Sequence, residues 1–357
     1  MSNILGRFLG KAPVPLLGID IGESSIKLVQ LGKSGSGYRL EAFAVEPMPE
    51  DTFSDGNIVA PDRVAEAIRR AIKQSRSKAR DCAMAVGGSA VITKVVNVPA
   101  DLSEDDIEAQ IEVEAGQYIP YPREEVSLDF AVLGPAPRSS EVFEVLLSAT
   151  KTEHVDTLRE IAGLVDLNLR TVDIVSYAVA NAFELVRTHA GIAADEAIGV
   201  LDMGSSSSTL LVLRDGRVIY SREHDFGGQQ LIDDCMRRYG MTAHEASFLQ
   251  RGEEPPAGFE DEILEPYRQG IIQQIGRALQ FYSSSNSYSA INTLFLTGGA
   301  AATPGLAEAV GDEVGMSCEV AGPIEGMRLA RSIDAARLER ARTALTTACG
   351  LALRGFD

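Results

Sequence analysis

Apolar and β-branched positions near the start of the chain predict a β-meander, that is, three strands that follow one another in an antiparallel sheet. The three runs, which are separated by glycine-containing turns, are Pro15–Asp20, Ser25–Leu31 and Tyr38–Val45. After Pro61, apolar residues recur with a helical period along Asp62–Gln74. We therefore expect an amphipathic helix that packs on the sheet.

From about residue 82 to residue 170 the pattern changes to strand, helix, strand, strand, helix, strand. The predicted strands are Cys82–Val86, Val91–Val98, Val126–Leu133, Val142–Thr150 and Leu169–Asp173, and the predicted helices are Leu102–Ile119 and Thr152–Leu164. Ser103, followed three residues later by Asp106, favours a helix start at that point. This order predicts a compact α+β unit that is inserted into the surrounding fold.

The meander then returns. Its second copy is Ile198–Asp202, Ser207–Leu213 and Arg217–His224, with Asp215-Gly216 as a tight turn. The remaining periodic segments predict a strand at Thr293–Leu296 and helices at Ser176–Val186, Leu231–Tyr239, Thr242–Gln250, Ile263–Tyr282, Leu306–Val314 and Thr343–Leu351. The same offset of 182 positions separates Asp20 from Asp202 and Gly22 from Gly204, which indicates an internal duplication.

Composition narrows the functional classes. The 357 residues carry a formal net charge of -18, which disfavours binding to nucleic acid. The four cysteines are far apart and favour a reducing cytoplasm over a disulfide framework or a zinc site. We expect no transmembrane span, because no stretch approaches the roughly 18 to 20 apolar residues that a bilayer requires. Residues 1–12 have a weak amphipathic period, typical of a membrane-surface or partner helix or of a frayed terminus.

The two matching turns carry the candidate chemistry. An apolar strand that ends in Asp places a carboxylate at the mouth of the sheet, and the following Gly lets the backbone bend. Short hydroxyl side chains that suit phosphate oxygens follow in both turns, namely Ser24 and Ser25 in the first, and Ser205, Ser206 and Ser207 in the second. Lys27 is positioned either to contact phosphate or to face solvent. Asp20 and Asp202 are hard oxygen ligands suited to a hydrated Mg²⁺.

A third element follows the strand at Leu294–Leu296. Thr297-Gly298-Gly299-Ala300 comes directly after it, and a glycine pair there leaves room for a flat base or a ribose against the backbone. Taken alone, this pair is weak evidence. In this order, after two hydroxyl turns, it favours a nucleotide site.

These motifs resemble those of the actin-like ATPase superfamily. The resemblance lies in DIGESSIKL, SYAVANAFEL, LDMGSSSSTLLVL and LFLTGGAAATPGL, which are similar to its phosphate, connecting and adenosine segments. Within the superfamily the chain resembles the PilM family of type IV pilus assembly proteins, most clearly in EAGQYIPYPREEVSLDF and GLALRG, and more distantly FtsA. The resemblance implies an α/β, duplicated ribonuclease H-like actin-like ATPase fold with an inserted α+β subdomain of the FtsA type, and it implies ATP and Mg²⁺ as cofactors.

The resemblance also implies a division of the chain into subdomains. The N-terminal tail would be 1–12 and the insertion 82–170. The lobes and cap would be 13–81 with 171–197 and 328–357 for lobe 1, 198–226 with 292–327 for lobe 2, and 227–291 for the helical cap of lobe 2.

By the same resemblance, Gly298, Gly299 and Ala300 would approach the adenosine, and Gly228 would begin the helix that enters the cap. Glu245 stands where relatives tend to have an acidic residue near the adenosine, although an exposed helix charge is an equally good interpretation. The two phosphate turns would be those already described.

A partner surface is indicated by Tyr118, Ile119, Pro120 and Tyr121, where aromatics and prolines follow a helix end. Exposed aromatics are good anchors for a peptide. The alternative interpretation is that Tyr118 and Ile119 pin the insertion to lobe 1. The resemblance implies that the N-terminal cytoplasmic segment of a PilN-like inner-membrane protein docks in a groove between the insertion and lobe 1, with other pilus platform components possible. That would make the protein cytoplasmic, peripheral to the inner membrane through its partner, and part of twitching motility.

Two alternatives remain open. A small-molecule kinase of the same superfamily would share the phosphate clamp but requires a catalytic base and a substrate pocket. An FtsA-like filament-forming cell-division protein would be expected to end in an amphipathic membrane helix, whereas this sequence ends in LALRGFD. Hydrolysis needs a residue that positions water, and neither turn offers an obvious candidate, so we expect at most a slow ATPase.

Overall fold

The computed structural model describes residues 15–136, 139–250, 254–285 and 289–356, without the Ser89 side chain. Its strands are β1 (Leu17–Ile21), β2 (Ser25–Ser34), β3 (Gly37–Pro47), β4 (Phe53–Ser54), β5 (Asn57–Ile58), β6 (Asp81–Val86), β7 (Val91–Pro99), β8 (Val126–Ala136), β9 (Ser139–Lys151), β10 (Asn168–Ile174), β11 (Ile198–Met203), β12 (Ser208–Arg214), β13 (Arg217–His224), β14 (Thr293–Thr297), β15 (Ser317–Val320) and β16 (Arg328–Leu329). Residues 1–12, for which the sequence leaves open a membrane-surface or partner helix and a frayed terminus, lie outside the described residues.

The helices cover most of the segments that the apolar periodicity predicts. They are α1 (Pro61–Ser75), α2 (Glu104–Tyr118), α3 (Thr152–Leu164), α4 (Val175–Ala190), α5 (Gln229–Tyr239), α6 (Ala243–Gln250), α7 (Glu265–Ser285), α8 (Leu306–Val314), α9 (Ala335–Ala341) and α10 (Thr346–Leu353). The predicted cap of α2 is confirmed, because the Ser103 side chain accepts a hydrogen bond from the Asp106 backbone N–H. Within these ranges, none of the helices combines the length and the apolar content that a membrane span requires.

Two sheets share one topology. The first has the strand order β10-β6-β1-β2-β3-β16, and the second has the order β13-β12-β11-β14-β15. In each, an antiparallel meander (β1-β2-β3 or β11-β12-β13) is extended by two parallel strands on the side of its first strand. The repeated strand order agrees with the duplication that the sequence predicts.

A layer formed by α4 and α10 separates the two sheets. The two helices approach so closely that a Cβ on Gly350 would lie 1.8 Å from the carbonyl oxygen of Ala178. On its other side α10 lies on β1, where a Cβ on Gly18 would lie 2.0 Å from the carbonyl oxygen of Ala348. Phe183 of α4 is fully buried and stacks at a tilt against Phe295 of the second sheet. Small residues therefore let this layer hold both sheets close together.

The inserted subdomain is smaller than the sequence predicts. Its antiparallel sheet has the order β7-β9-β8, and α2 covers one face of it through Ile107, Ile111 and Ala115. The strand β6, expected to start the insertion at residue 82, instead pairs with β1 in the first sheet, and β10 pairs with β6. Helix α3 also packs with the first sheet and α1. The chain thus leaves the first lobe after β6, forms the sheet and α2 of the insertion, and returns to the first lobe at α3.

The outer face of the second sheet is covered by helices of the predicted cap and by α8. A cluster of buried residues joins β11, β12 and β14 to α5, α6, α7 and α8. Four short elements are not in the sequence prediction, namely the β4–β5 hairpin, β15, β16 and α9. Each of them has seven residues or fewer, too short for a reliable apolar period.

Candidate functional site

The two hydroxyl turns have the same backbone hydrogen bond. The Gly22 N–H donates to the Ser25 carbonyl at 3.1 Å, and the Gly204 N–H donates to the Ser207 carbonyl at 2.9 Å. In both copies the Asp before the turn pairs with the residue seven positions later, which is Lys27 opposite Asp20 and Thr209 opposite Asp202. The matching sequences therefore form matching turns, at the ends of β1 and β11.

Both turns open onto a single cavity of about 530 Å³. The predicted site residues that line it are Asp20, Gly22, Ser24, Lys27, Ile119, Tyr121, Asp202, Gly204, Ser205, Ser206, Ser207, Gly298 and Gly299. The predicted site residues that do not are Ser25, Tyr118, Pro120, Gly228, Glu245 and Ala300. The structure thus brings the two hydroxyl turns and the glycine pair together at one place.

The first turn contains an ion pair. Lys27 Nζ lies 3.2 Å from Asp20 Oδ2, and both side chains are largely buried. A Cβ on Gly22 would lie 2.5 Å from Lys27 Nζ, so the absence of a side chain at Gly22 makes room for the ammonium group. Lys27 therefore points into the cavity rather than toward solvent.

Asp202 occupies a different environment. Its surroundings raise the pKa of its carboxyl to about 6, chiefly through burial and secondarily through repulsion from Asp20, while Lys27 opposes the shift. Its strand partner Thr209 brings no charge. Neighbouring groups therefore neutralise the negative charge of Asp202 less well than that of Asp20. A bound cation would stabilise the charged form of Asp202.

Gly298 fits closely against the second turn. Its φ of +89° is in the region that favours glycine. A Cβ there would lie 2.4 Å from the Met203 carbonyl and 2.6 Å from Asp202 Oδ1. Its N–H donates to the Thr343 carbonyl at 3.0 Å, which ties this loop to the segment before α10.

Gly228 supports the second turn from behind. Its N–H donates to the Gly204 carbonyl at 3.0 Å, and the next N–H, of Gln229, donates to the Ser205 carbonyl at 2.9 Å. A Cβ on Gly228 would lie 2.3 Å from Nε2 of the buried Gln250. Gly228 therefore fixes the shape of the turn and stands outside the cavity.

Glu245 also stands outside the cavity. Its Oε2 accepts hydrogen bonds at 2.8 Å from both the backbone N–H and the hydroxyl of Thr242, which form a capping box for α6. These two hydrogen bonds lower the pKa of its carboxyl. Glu245 is exposed and committed to the helix cap, as in the alternative interpretation. Ala300 is buried in the core of the second lobe, so its side chain is not at the cavity either.

The four predicted partner residues divide into two groups. Tyr118 and Tyr121 are 39% and 43% exposed, each with a lysine ammonium near its ring face, Lys94 and Lys151 respectively. Ile119 is buried in the core between α2 and the insertion sheet, so it packs within the insertion and not against lobe 1, as the pinning interpretation would require. Pro120 is exposed between them. The aromatic pair is thus available at the surface while Ile119 anchors the loop.

Several cavity residues were not among the sequence candidates. Glu23 lies inside the first turn, Glu223 belongs to β13, and Asp55 and Gly56 form the turn of the β4–β5 hairpin; all four line the cavity. Both hairpin residues have a positive φ, and an Asp-Gly pair is a recognisable turn signal. The offset of 182 pairs Glu23 with Ser205, so the repeat itself marks Glu23 as the position at which the two turns differ. No sequence signal points to Glu223.

The arrangement suits a phosphate ligand with a divalent cation. At the two turns, hydroxyl groups from both lobes, the ammonium group of Lys27 and the carboxylates of Asp20, Glu23 and Asp202 line one cavity. Carboxylates at the strand ends hold Mg²⁺ in nucleotide sites together with water and phosphate oxygens. The residues present therefore fit a magnesium–nucleotide complex at its phosphate end, and the absence of a side chain at Gly299 leaves open space beyond it.

Comparison with known proteins agrees with this architecture. A solved structure described as a PilM-PilN type IV pilus biogenesis complex matches with a TM-score of 0.81 and 26% identity, covering 97% of this chain and 99% of that chain. The cell division protein FtsA of Bacillus subtilis (strain 168) is 24% identical over 355 aligned residues, which cover 85% of this chain and 78% of the relative. The ethanolamine utilization protein EutJ of Carboxydothermus hydrogenoformans shares the fold, with a TM-score of 0.55 at 15% identity over 96% of this chain and 91% of that chain.

These likenesses confirm the actin-like fold that the motifs indicate. The model of the family described as type IV pilus assembly protein PilM matches residues 18–356, which is nearly the whole chain. The match includes both turns, the insertion and α10. The chain therefore belongs to the PilM family of type IV pilus assembly proteins.

Proposed function

We propose that this protein is a cytoplasmic scaffold of type IV pilus assembly that binds ATP with Mg²⁺ and docks the N-terminal cytoplasmic segment of a PilN-like inner-membrane protein. The observation that carries the proposal is that both duplicated turns open onto one cavity. Family membership supplies the biological context.

The phosphate chain would lie between the turns. Ser24 of the first turn and Ser205, Ser206 and Ser207 of the second would donate hydroxyl hydrogen bonds, and Lys27 would add an ammonium group. Asp20 and Asp202 would hold the hydrated Mg²⁺, which neutralises phosphate charge when bound. A nucleotide that contacts both lobes favours their closed arrangement, because its affinity for that state is higher.

The partner site is proposed on the insertion side of the same cavity. The cavity extends from the phosphate turns to Ile119 and Tyr121, and the exposed ring of Tyr118 lies beside them. The similar solved structure is a complex of PilM with PilN, which supports a partner of this kind for the present chain. A soluble body would thereby be held at the inner membrane through its partner.

The first experiment measures nucleotide retention. Asp20→Ala and Ser206→Ala should each abolish co-purification and titratable binding of Mg²⁺-ATP. Asp156→Ala and Ser284→Ala, which alter an exposed acid and an exposed serine elsewhere, should bind like the unaltered protein. Unchanged retention in the first pair would show that the site has been misplaced.

The second experiment is a pull-down with a peptide from the N-terminus of the membrane partner, with and without ATP and Mg²⁺. Replacing Tyr118 and Tyr121 together by Ala should remove most of the capture. Phe281→Ala provides a matched control, because Phe281 is 47% exposed and lies on the second lobe. Equal loss in the control variant would contradict a docking site at the insertion.

A further inference from the structure

The two turns differ in charge at one position. The offset of 182 pairs Gly22 with Gly204, Ser24 with Ser206 and Ser25 with Ser207, so glycine and hydroxyl positions agree in both copies. At the remaining position it pairs Glu23 with Ser205. The first turn therefore carries a carboxylate where the second carries a hydroxyl group.

The two side chains at this position also have different partners. Ser205 Oγ donates to Gln229 Oε1 at 3.0 Å and stays within its own lobe. Glu23 instead reaches across the cavity, where its Oε2 accepts a hydrogen bond from Ser206 Oγ. The contact joins the tip of one turn to the tip of the other, and both residues line the cavity.

This contact occupies a phosphate-binding group. Ser206 Oγ has one proton to donate, and Glu23 already accepts it, so a phosphate oxygen must replace the carboxylate before Ser206 can bind it. The carboxylate also adds negative charge to a wall that contains Asp20 and Asp202, while the ammonium group of Lys27 is already paired with Asp20. Repulsion between these carboxylates and the negatively charged phosphate groups opposes the entry of a polyphosphate into the cavity.

We propose that Glu23 is a built-in competitor of the phosphate chain: it bridges the two lobes through Ser206 when the site is empty and thereby sets the affinity of the site for nucleotide. The inference rests on the proposed nucleotide-binding function. It assigns to Glu23 a specificity-determining role, because the competition acts on ligands whose phosphates reach between the turns and spares a ligand that has none.

The test compares three forms of the full-length protein by titration with Mg²⁺-ATP and with adenosine. Glu23→Ser gives the first turn the residue of the second, and Glu23→Gln keeps the shape of the side chain without its charge. Since hydrogen bonds to charged groups are among the stronger ones, we expect both variants to bind Mg²⁺-ATP about tenfold more tightly or better. Binding of adenosine should not change.

Glu153→Gln is the matched control. Glu153 also lines the cavity, but it lies on the insertion side and pairs with Lys151 at 3.2 Å. This variant should bind Mg²⁺-ATP like the unaltered protein. A gain of the same size in Glu153→Gln would show a general effect of charge and would overturn the specific role of Glu23.

A second measurement reports on the bridge without any nucleotide. Spin labels at Glu66→Cys on α1 and Asp312→Cys on α8, both exposed positions, give the distance between the lobes in a Cys318→Ser background, because the other three cysteines are buried. Glu23→Ser should broaden and lengthen the distance distribution. Glu23→Gln, which can still accept from Ser206, should leave it narrow. An unchanged distribution in Glu23→Ser would overturn the bridge.

The outcomes separate this inference from the proposed function. If the unaltered protein binds Mg²⁺-ATP and the Glu23 variants bind it equally or more weakly, competition by Glu23 is wrong and nucleotide binding stands. If none of the folded forms binds Mg²⁺-ATP, the proposed nucleotide function fails and the competitor role fails with it.

Discussion

Arg217 at the edge of the second sheet is bonded to Glu144 of the inserted subdomain. Its Nη1 donates to Glu144 Oε2 at 3.0 Å, and its Nη2 donates to the Leu133 carbonyl at 2.6 Å. The insertion belongs by chain connection to the first lobe, so this arginine links it to the second lobe as well. Glu223, near the other end of β13, also comes close to the insertion, since a Cβ on Gly88 would lie 2.9 Å from its Oε2.

Removing this link should loosen the insertion. Arg217→Ala deletes one ion pair and one hydrogen bond to a carbonyl, both partly exposed, so we expect a loss on the order of 1 kcal/mol in the free energy of unfolding by urea. Arg159→Ala, which removes an exposed pair with Asp156 on α3, should stay within about 0.5 kcal/mol. Equal losses in the two variants would argue against a structural link at Arg217.

Replacing Gly298 and Gly299 by Ala, one at a time, should have different effects on stability. Gly298→Ala should cost about 2 kcal/mol or more in unfolding free energy, because its φ is +89° and a Cβ would press on the Met203 carbonyl and on Asp202. Gly299 has a φ of -65° and open space around it, so Gly299→Ala should be nearly neutral. Urea denaturation of both variants measures the difference, and similar costs would contradict the described geometry.

The two turns are easier to recognise in the sequence than the boundaries of the insertion. The two turns are recognisable because Asp, Gly and Ser recur at one offset, and local hydrogen bonds such as Gly22 to Ser25 give each turn its shape. The partner of Glu23 is Ser206, far along the chain, and no local pattern encodes that contact. The same holds for Gly228, whose neighbour Gln250 comes from a different helix.

Strand β6 illustrates why the boundary was misplaced. Cys82–Val86 is an apolar run whether it lies in the small insertion sheet or in the parallel part of the first sheet, since both environments bury it. Its assignment depends on its pairing with β1 and β10, which is a property of the fold. Short strands such as β16 cannot be predicted from the alternation of apolar and polar residues, because two residues are too few to show it.

The unusual carboxyl of Asp202 predicts a pH dependence. Its pKa is raised to about 6 in the folded protein from the ordinary 3.8, so the folded state holds this proton more tightly than the unfolded chain does. The resulting stability is complete below about pH 4 and is lost as the pH rises through about 6. It amounts to on the order of 3 kcal/mol.

Asp202→Asn should therefore remove this dependence. In EDTA and without nucleotide, the difference in unfolding free energy between Asp202→Asn and the unaltered protein should grow in favour of the variant between about pH 4 and pH 7. Asp55→Asn changes another acid at the cavity and should not reproduce the trend. A difference that does not vary with pH would show that Asp202 titrates normally.

Gly350, at the crossing of α4 and α10, should not tolerate a side chain. Gly350→Ala would place a methyl group 1.8 Å from the Ala178 carbonyl, so the two helices would have to separate, at a cost of about 3 kcal/mol or more. Gly276 lies in α7 with no atom within 4 Å of its would-be Cβ, so Gly276→Ala should stabilise by about 0.5 to 1 kcal/mol. Thermal unfolding of both variants measures the contrast. A well-folded Gly350→Ala protein with unchanged stability would contradict the close crossing.

The pairing of Asp20 with Lys27, against that of Asp202 with the uncharged Thr209, has a consequence for the direction of a bound ligand. Two identical turns would bind a linear anion equally well in either orientation. The ammonium group of Lys27 at the first turn, with no counterpart at the second, makes the two orientations unequal in energy, so a duplicated and nearly symmetric site acquires a polarity from one residue.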